Sequence, residues 1–179
     1  LLEDVFGSLP VKANLDLVRH VEPVIGDRVD IAMDLPQSVL LFASGGLVRS
    51  DPDFIPAAMA LRILGGGAFS SRLYEEVREK RGLAYSIGFG LRAYEHAGVV
   101  VGSTKTRADQ TDKVIGLIES EINRFVSDGV TAEELADAKS YLIGSYALRF
   151  TTSTRIAGQL LAIQLDNLGL DYISQRNDL

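Results

Sequence analysis

Two side chains in the stretch Leu64–Tyr94, LGGGAFSSRLYEEVREKRGLAYSIGFGLRAY, have the types and the spacing to act on one ligand together. Arg78 carries a permanent cation with a planar fork of N–H donors, and Tyr85 carries a phenol that donates without adding charge. They stand 7 residues apart, but Gly82 between them predicts a tight reversal that folds one back towards the other. What the pair offers is directional hydrogen-bond donation. Both residues also have ordinary roles open to them. Arg78 can pair with Glu75 on a solvated helix face, for at most ~0.5 kcal/mol, and Tyr85 can be a half-buried strand aromatic.

The elements that must hold the pair are a glycine turn, a short charged helix, a stop and a strand. Gly65, Gly66 and Gly67 lack Cβ atoms, so the backbone there can take positive φ or approach another chain closely. Ser70 or Ser71 is placed to cap the helix that follows. Lys80 and Arg81 suit its C-terminal dipole, and Gly82 ends it. Leu83 to Leu91 then alternates, with Tyr85, Ile87, Phe89 and Leu91 expected on one face. A turn near Glu95 to Gly98 and a return over Val99 to Thr104 predict a hairpin from Leu83 to Lys105.

Either side of this stretch the periodicity changes. Gly7 to Gly26 is connector, punctuated by Gly7, Pro10, Pro23 and Gly26. Arg28 to Leu35 alternates and predicts a half-buried strand ended by Pro36. Ser38 to Ala43 is apolar on both faces, as in a central strand covered on each side. A helix is expected from Asp51 or Asp53 to about Leu64, with Phe54, Ala57, Ala58, Leu61 and Leu64 inward. Another follows Ala108, with Val114, Leu117, Ile118, Ile122 and Phe125 on its stripe and Gly129 at its end. Thr131-Ala132-Glu133-Glu134 has capping-box spacing and starts a helix with Leu135, Ala138, Leu142 and Tyr146 inward. A last helix, about Thr154 to Asn167, carries Ile156, Leu160, Ile163 and Leu168 and stops at Gly169. The order β-β-α-α-β-β-α-α-α predicts an α+β fold, an antiparallel-rich sheet with helices packed on it.

Composition narrows the function classes. The chain has 179 residues, 46% of them hydrophobic, which suffices for one well-buried domain. Its net charge of −6 is spread without a basic stripe, which argues against nucleic acid as a partner. No apolar run approaches the ~20 residues of a membrane span. With Cys 0, disulfides and thiolate metal sites are excluded. Leu1, Leu2, Val5 and Phe6 resemble the end of an amphipathic helix. We therefore expect residues 1–26 to be a helix tail with connector, and 27–179 a domain truncated at its C-terminal end. Apolar faces exposed at the two ends would allow a homodimer, which truncation alone can produce.

Other candidate sites are weaker. The glycine triplet with Ser70 and Ser71 could cradle an anion, but it lacks the spacing and the lysine of a nucleotide-binding P-loop. Ser44-Gly45-Gly46 is a turn with no histidine placed as a base. Thr151 to Thr154 is a helix-start loop. His20 and His96 are expected at the surface without a second histidine at ligand spacing, and Glu75, Glu76 and Glu79 on a solvated face. No metal site is predicted.

The glycine triplet combined with Ser70-Ser71-Arg72-Leu73, Glu76-Val77-Arg78-Glu79-Lys80-Arg81-Gly82-Leu83 and Ala84-Tyr85-Ser86 resembles a known family signature. It is similar to the second, zinc-free domain of the pitrilysin, insulinase and mitochondrial-processing-peptidase family of zinc metallopeptidases. DGVTAEELADAKSYLIGSYALRF, from Asp128 to Phe150, resembles that family's helix pair at the matching distance. The resemblance covers essentially the whole chain.

This resemblance implies a half of a clamshell. Arg78 and Tyr85 occupy the positions of an arginine and a tyrosine that reach across to hold a substrate carbonyl beside a zinc-bound water, with Gly65, Gly66 and Gly67 next to the substrate. Donors aimed at a developing oxyanion are worth roughly 3–4 kcal/mol each. The zinc would be bound by an H-x-x-E-H motif in a preceding domain or a partner subunit, so this chain alone is expected to be inactive. Substrates would be unfolded polypeptides or peptides. The family also implies alternatives, a non-catalytic scaffold subunit or a peptide-binding module. Its paired bacterial subunits are often exported, which favours the periplasm.

Overall fold

The computed structural model describes residues 1–12, 14–67 and 69–178; Ala13, Ala68 and Leu179 lie outside the described residues. Its frame is a three-stranded antiparallel sheet of β1 (Gln37–Gly45), β2 (Ala84–Ala93) and β3 (Gly98–Arg107), in the order β1-β3-β2. β2 and β3 form the expected hairpin, closed where the Tyr94 N–H donates to the Ala97 carbonyl at 2.8 Å. The helices are a short α1 (Leu2–Phe6), α2 (Phe54–Leu61), α3 (Arg72–Tyr74), α4 (Thr111–Asp128), α5 (Ala132–Tyr146), α6 (Ser153–Leu165) and α7 (Tyr172–Gln175). Thus the α+β fold expected from the periodicity is the fold observed.

One face of the sheet carries the helices. Leu73, Val77, Val114 and Ile118 are essentially sealed, with Leu64, Tyr74, Ala84, Ile87 and Phe89 around them. Burial of each such aliphatic side chain contributes roughly 1.5–3 kcal/mol. Leu40, Phe42 and Val100 pack against the same cluster from β1 and β3. Gly102 lies opposite both Phe42 and Phe89 across the sheet, and their rings meet over it at a centroid distance of 5.8 Å. A Cβ on Gly102 would come within 2.7 Å of Phe89 Cζ, so only glycine leaves room for both rings.

Three expectations are corrected. Arg28–Leu35 is not a strand: the segment is irregular and open, with Ile31 80% exposed. Alternation supplies a face but no partner. A two-residue turn into β1 would consist of Leu35 and Pro36, whereas hairpin turns need positive φ at Leu35 or at both positions, which leucine resists and proline forbids. β1 is an edge strand, not a central one, and Val39 and Leu41 on its outer face are exposed. Ser71 occupies the N-cap position of α3, yet its buried hydroxyl has no hydrogen-bond partner among the described residues.

α4 and α5 follow the sequence closely, whereas α6 buries Ile163 of its expected stripe and leaves Ile156 and Leu160 exposed. Gly129 ends α4 at φ +71. Thr131 and Glu134 close a full capping box, with the Thr131 Oγ1 accepting at 3.1 Å and the Glu134 Oε2 accepting the Thr131 N–H at 2.8 Å. The short α7 has no counterpart in the expected order, because its four residues carry too little periodicity to show.

Candidate functional site

The Leu64–Tyr94 stretch departs from ideal helix twice. α2 runs into a π-helical turn at Arg62–Gly66, and α3 into another at Glu75–Glu79. In the first, the Gly67 N–H donates to the Arg62 carbonyl at 3.0 Å, and in the second the Lys80 N–H donates to the Glu75 carbonyl at 2.9 Å. Such widened turns recur at functional sites because they re-aim side chains. Here the second turns Val77 into the core and leaves Arg78 on the rim. Gly82, at φ +60, then reverses the chain, its N–H donating to the Arg78 carbonyl at 2.8 Å.

β2 begins with an irregularity that decides where Tyr85 points. Ala84 faces Thr106 and Ile87 faces Thr104, so three steps on β2 match two on β3. This β-bulge corrects the expected alternation: Ala84 and Ile87 are both buried, while Tyr85 swings out and is 84% exposed. Two buried threonines fix it. Thr104 Oγ1 donates to the Ser86 carbonyl at 2.8 Å, and Thr106 Oγ1 to the Leu83 carbonyl at 2.6 Å.

The bulge and the π-helical turn together bring Arg78 and Tyr85 side by side. The Arg78 guanidinium carbon lies 5.2 Å from the Tyr85 ring centroid, 4.8 Å from that of Tyr74 and 5.6 Å from that of Phe69. Three rings therefore surround the one cation, a cation–π environment worth roughly 0.5–1 kcal/mol in all at the surface. Phe69 holds its place with φ +70, a conformation that costs a non-glycine residue about 1–3 kcal/mol. Arg78 does not pair with Glu75. Its acidic neighbour is Glu79, at 3.2 Å from Nη1.

The other charges of this helix are paired among themselves. Lys80 Nζ donates to Glu76 at 2.7 Å and lies 2.9 Å from Glu75; Arg81 also bonds the Glu76 carboxylate. Glu76 is therefore mostly covered rather than solvated, and hydrogen bonds from Lys80 and then Arg81 hold its carboxyl below the usual range. Glu75 and Glu79 are exposed.

The glycine triplet lies where α2 ends against β2. A Cβ on Gly65 would stand 3.0 Å from Phe89 Cβ, and one on Gly66 3.1 Å from the Phe89 carbonyl oxygen. A Cβ on Gly67 would meet Ser70 Oγ at 2.9 Å. Close approach, not positive φ, is what glycine serves at all three positions. His20 is bonded to Glu22 at 2.9 Å and His96 lies 3.7 Å from Glu95, both at the surface. Among the described residues, no group of three or more His, Cys, Asp or Glu side chains is placed to hold a metal ion.

Sequence reasoning missed the brace behind the site. Arg72 Nε and Nη2 donate to the two Glu134 carboxylate oxygens at 2.6 and 2.7 Å, and Nη2 also to the Gly129 carbonyl at 2.8 Å. Glu121, 5% exposed, lies 3.9 Å from Arg72 Nη1 and is bonded by Arg124 at 2.8 Å. The Arg72 hydrogen bonds, opposed by burial and helped by Thr131, bring the Glu134 carboxyl down to about 2. This bidentate clamp fastens the start of the Arg78 helix to the α4–α5 turn. The capping box located Glu134 in the sequence, but nothing there showed that its second oxygen had a partner 62 residues away.

The chain is similar to known proteins. Residues 1–142 match the family described as the peptidase M16 inactive domain. The chain is 35% identical over 120 residues to a protein of Helicobacter pylori named "Non-peptidase homolog YmxG", spanning 66% of this chain and 28% of that one. It is 27% identical over 172 residues to an "Uncharacterized zinc protease" of Rickettsia bellii, covering 95% of this chain and 39% of the relative. The chain thus spans well under half the length of these relatives. Among solved structures, the peptidase M16 inactive domain from Pseudomonas fluorescens superposes with a TM-score of 0.71 at 35% identity, over 80% of this chain and 35% of that one. A subunit of Complex III2 from Candida albicans shares the fold, with a TM-score of 0.71 at 18% identity over 92% of this chain and 43% of that one. This chain belongs to the peptidase M16 inactive domain family.

Proposed function

We propose that Arg78 and Tyr85 form a donor pair that grips and polarises a substrate peptide carbonyl, beside a zinc site that another domain or subunit provides. The observation that carries this reading is the exposure of Tyr85 next to Arg78. A core aromatic at the start of β2 would point inward with Ile87; the bulge holds Tyr85 outward, within reach of the same ligand as the guanidinium. Arg78 gives two N–H donors in one plane, and the phenol adds a third from a different direction. Charge that develops on the carbonyl oxygen during hydrolysis is met by groups already oriented, which lowers the barrier rather than merely tightening binding. Of Gly65, Gly66 and Gly67, which the family resemblance places next to the substrate, Gly65 and Gly67 are buried against Phe89 and Ser70, and Gly66 is the one open to a peptide.

Zinc, when bound by that other part, would supply Lewis-acid polarisation and an activated water. This chain's own contribution is to bind and orient the carbonyl. Its partners are accordingly a zinc-bearing domain or subunit and a polypeptide substrate, and the periplasm is the compartment we assign on the family resemblance alone. The test is to isolate the protein at full length with whatever it binds and assay a quenched peptide with and without a chelator. Chelator-sensitive cleavage supports the reading. A preparation that carries zinc yet cleaves nothing favours the scaffold reading, to which the name of the Helicobacter relative lends weight.

A further inference from the structure

A cavity of about 440 Å³ opens between α2, α5, α6 and α7, lined by none of the described residues of 64–94. Its volume falls in the ~300–1,000 Å³ range of small-molecule pockets. Phe54, Met59, Leu142 and Ile163 make an apolar floor. Among the described residues, the charged lining is Arg49, Lys139, Arg149 and Arg176 against Asp166, in a chain whose net charge is −6. Past Arg149 the cavity widens into a groove whose other charged lining residues, Arg62 and Arg155, are cations as well.

The two inner arginines are held before any ligand arrives. The Arg49 guanidinium stacks 4.1 Å from the Phe54 ring centroid, and its Nη2 donates to the Tyr172 hydroxyl at 3.0 Å. Asp166 takes part of its charge at 3.4 Å. Arg176 lies 4.3 Å from the Tyr146 ring centroid, and its Nη1 donates to the Leu142 carbonyl at 3.0 Å. Each guanidinium keeps further N–H donors. Tyr146 also lines the cavity, and its hydroxyl is buried without a hydrogen-bond partner among the described residues. A buried phenol in that state asks for an acceptor. Burial pushes its pKa up, so it stays a donor at neutral pH.

We propose that this cavity binds an organic carboxylate with an apolar tail. The arginines and the Tyr146 hydroxyl take the head group, and the floor around Phe54, Met59 and Ile163 takes the tail. A carboxylate matches the planar fork of a guanidinium and supplies the acceptor that the phenol lacks. Head and tail are both required. An anion alone leaves the apolar floor wet, and an apolar molecule alone leaves three net positive charges uncompensated.

Calorimetric titration of the full chain with decanoate, 1-decanol and inorganic phosphate tests this. Decanoate should bind at least tenfold tighter than decanol, and phosphate should not displace it. Tyr146→Phe and Arg176→Gln should each weaken decanoate binding about fivefold. Lys139→Gln combined with Arg149→Gln, both at the exposed rim, should weaken it and flatten its dependence on salt while leaving the melting temperature in place. A short apolar peptide with a free C-terminus that competes, where its amide does not, would identify the carboxylate as a chain end; no competition by either would identify a lipid-derived acid. Equal binding of decanol and decanoate, displacement by phosphate, or indifference to the rim variants would overturn the proposal.

Discussion

The guanidinium of Arg78 and the ring of Tyr85 lie 5.2 Å apart, although one ends a helix and the other begins a strand. Two local irregularities create that proximity, a π-helical turn at Glu75–Glu79 and a β-bulge between Ala84 and Ile87. The first also turns Val77 into the core and the second buries both Ala84 and Ile87, so the same two distortions pack the core and bring the pair together.

If the pair is there for a ligand rather than for stability, removing it should cost the fold little. Arg78→Ala and Tyr85→Phe should each change the unfolding free energy by no more than about 0.5–1 kcal/mol, the worth of exposed cation–π and surface contacts. Denaturant unfolding of the two variants measures this.

The bulge should depend on its threonine. Thr104→Val keeps the shape but removes the hydroxyl that donates to the Ser86 carbonyl at 2.8 Å. The variant should lose about 1 kcal/mol, the net worth of a part-buried hydrogen bond. A Thr104→Ser variant, which restores the donor, should recover part of the loss in the same unfolding experiment.

The Arg72–Glu134 clamp predicts acid sensitivity with a defined sign. Glu134 titrates at about 2 in the folded chain against an ordinary 4.5, so its stabilisation is complete above pH 4.5 and disappears as the pH falls towards 2. Glu134→Gln should remove about 2 kcal/mol at pH 7 and flatten the stability profile between pH 4.5 and 2. Arg72→Lys should behave similarly, because a lysine cannot reproduce the bidentate bond. Stability measured against pH for the three proteins decides it.

Gly102→Ala should be among the most damaging single-methyl changes in the chain. The new Cβ would sit 2.7 Å from Phe89 Cζ and force apart the Phe42–Phe89 stack. Overpacking of this kind costs about 1–3 kcal/mol, and thermal unfolding should show a drop of several degrees. Gly116→Ala, where a Cβ meets nothing within 4 Å, is the matching control and should be neutral or slightly stabilising.

The parts of this molecule legible in the sequence are those fixed by local chemistry. The capping box at Thr131, the reversal at Gly82 and the hairpin turn before Gly98 each stand where residue type requires them. The stripe Val114, Ile118 and Ile122 faces the core because a helix of eighteen residues has only one way to bury it. What local pattern cannot carry is partnership. Val29, Ile31 and Met33 alternate as a strand would, yet among the described residues no neighbouring strand pairs with them. Tyr85 alternates with Ile87 in the sequence, and a single extra residue in β2 sends it to the other side. The positions of Arg78 and Tyr85 as a candidate pair were visible through family resemblance, but their contact arises from two irregularities that no periodicity announces. Arg72 was visible only as one letter of a motif, because its partners Gly129 and Glu134 are far along the chain.

The most direct measurement is kcat/KM for cleavage of a quenched peptide by the protein at full length, zinc-loaded and with its natural partner. Wild type is compared with Arg78→Ala and Tyr85→Phe. We predict a loss of at least tenfold for each variant, carried by kcat, with unfolding transitions unchanged; a tenfold loss corresponds to about 1.4 kcal/mol of transition-state stabilisation. Cleavage that is zinc-dependent yet indifferent to both substitutions would contradict the account and leave the pair without a role in catalysis.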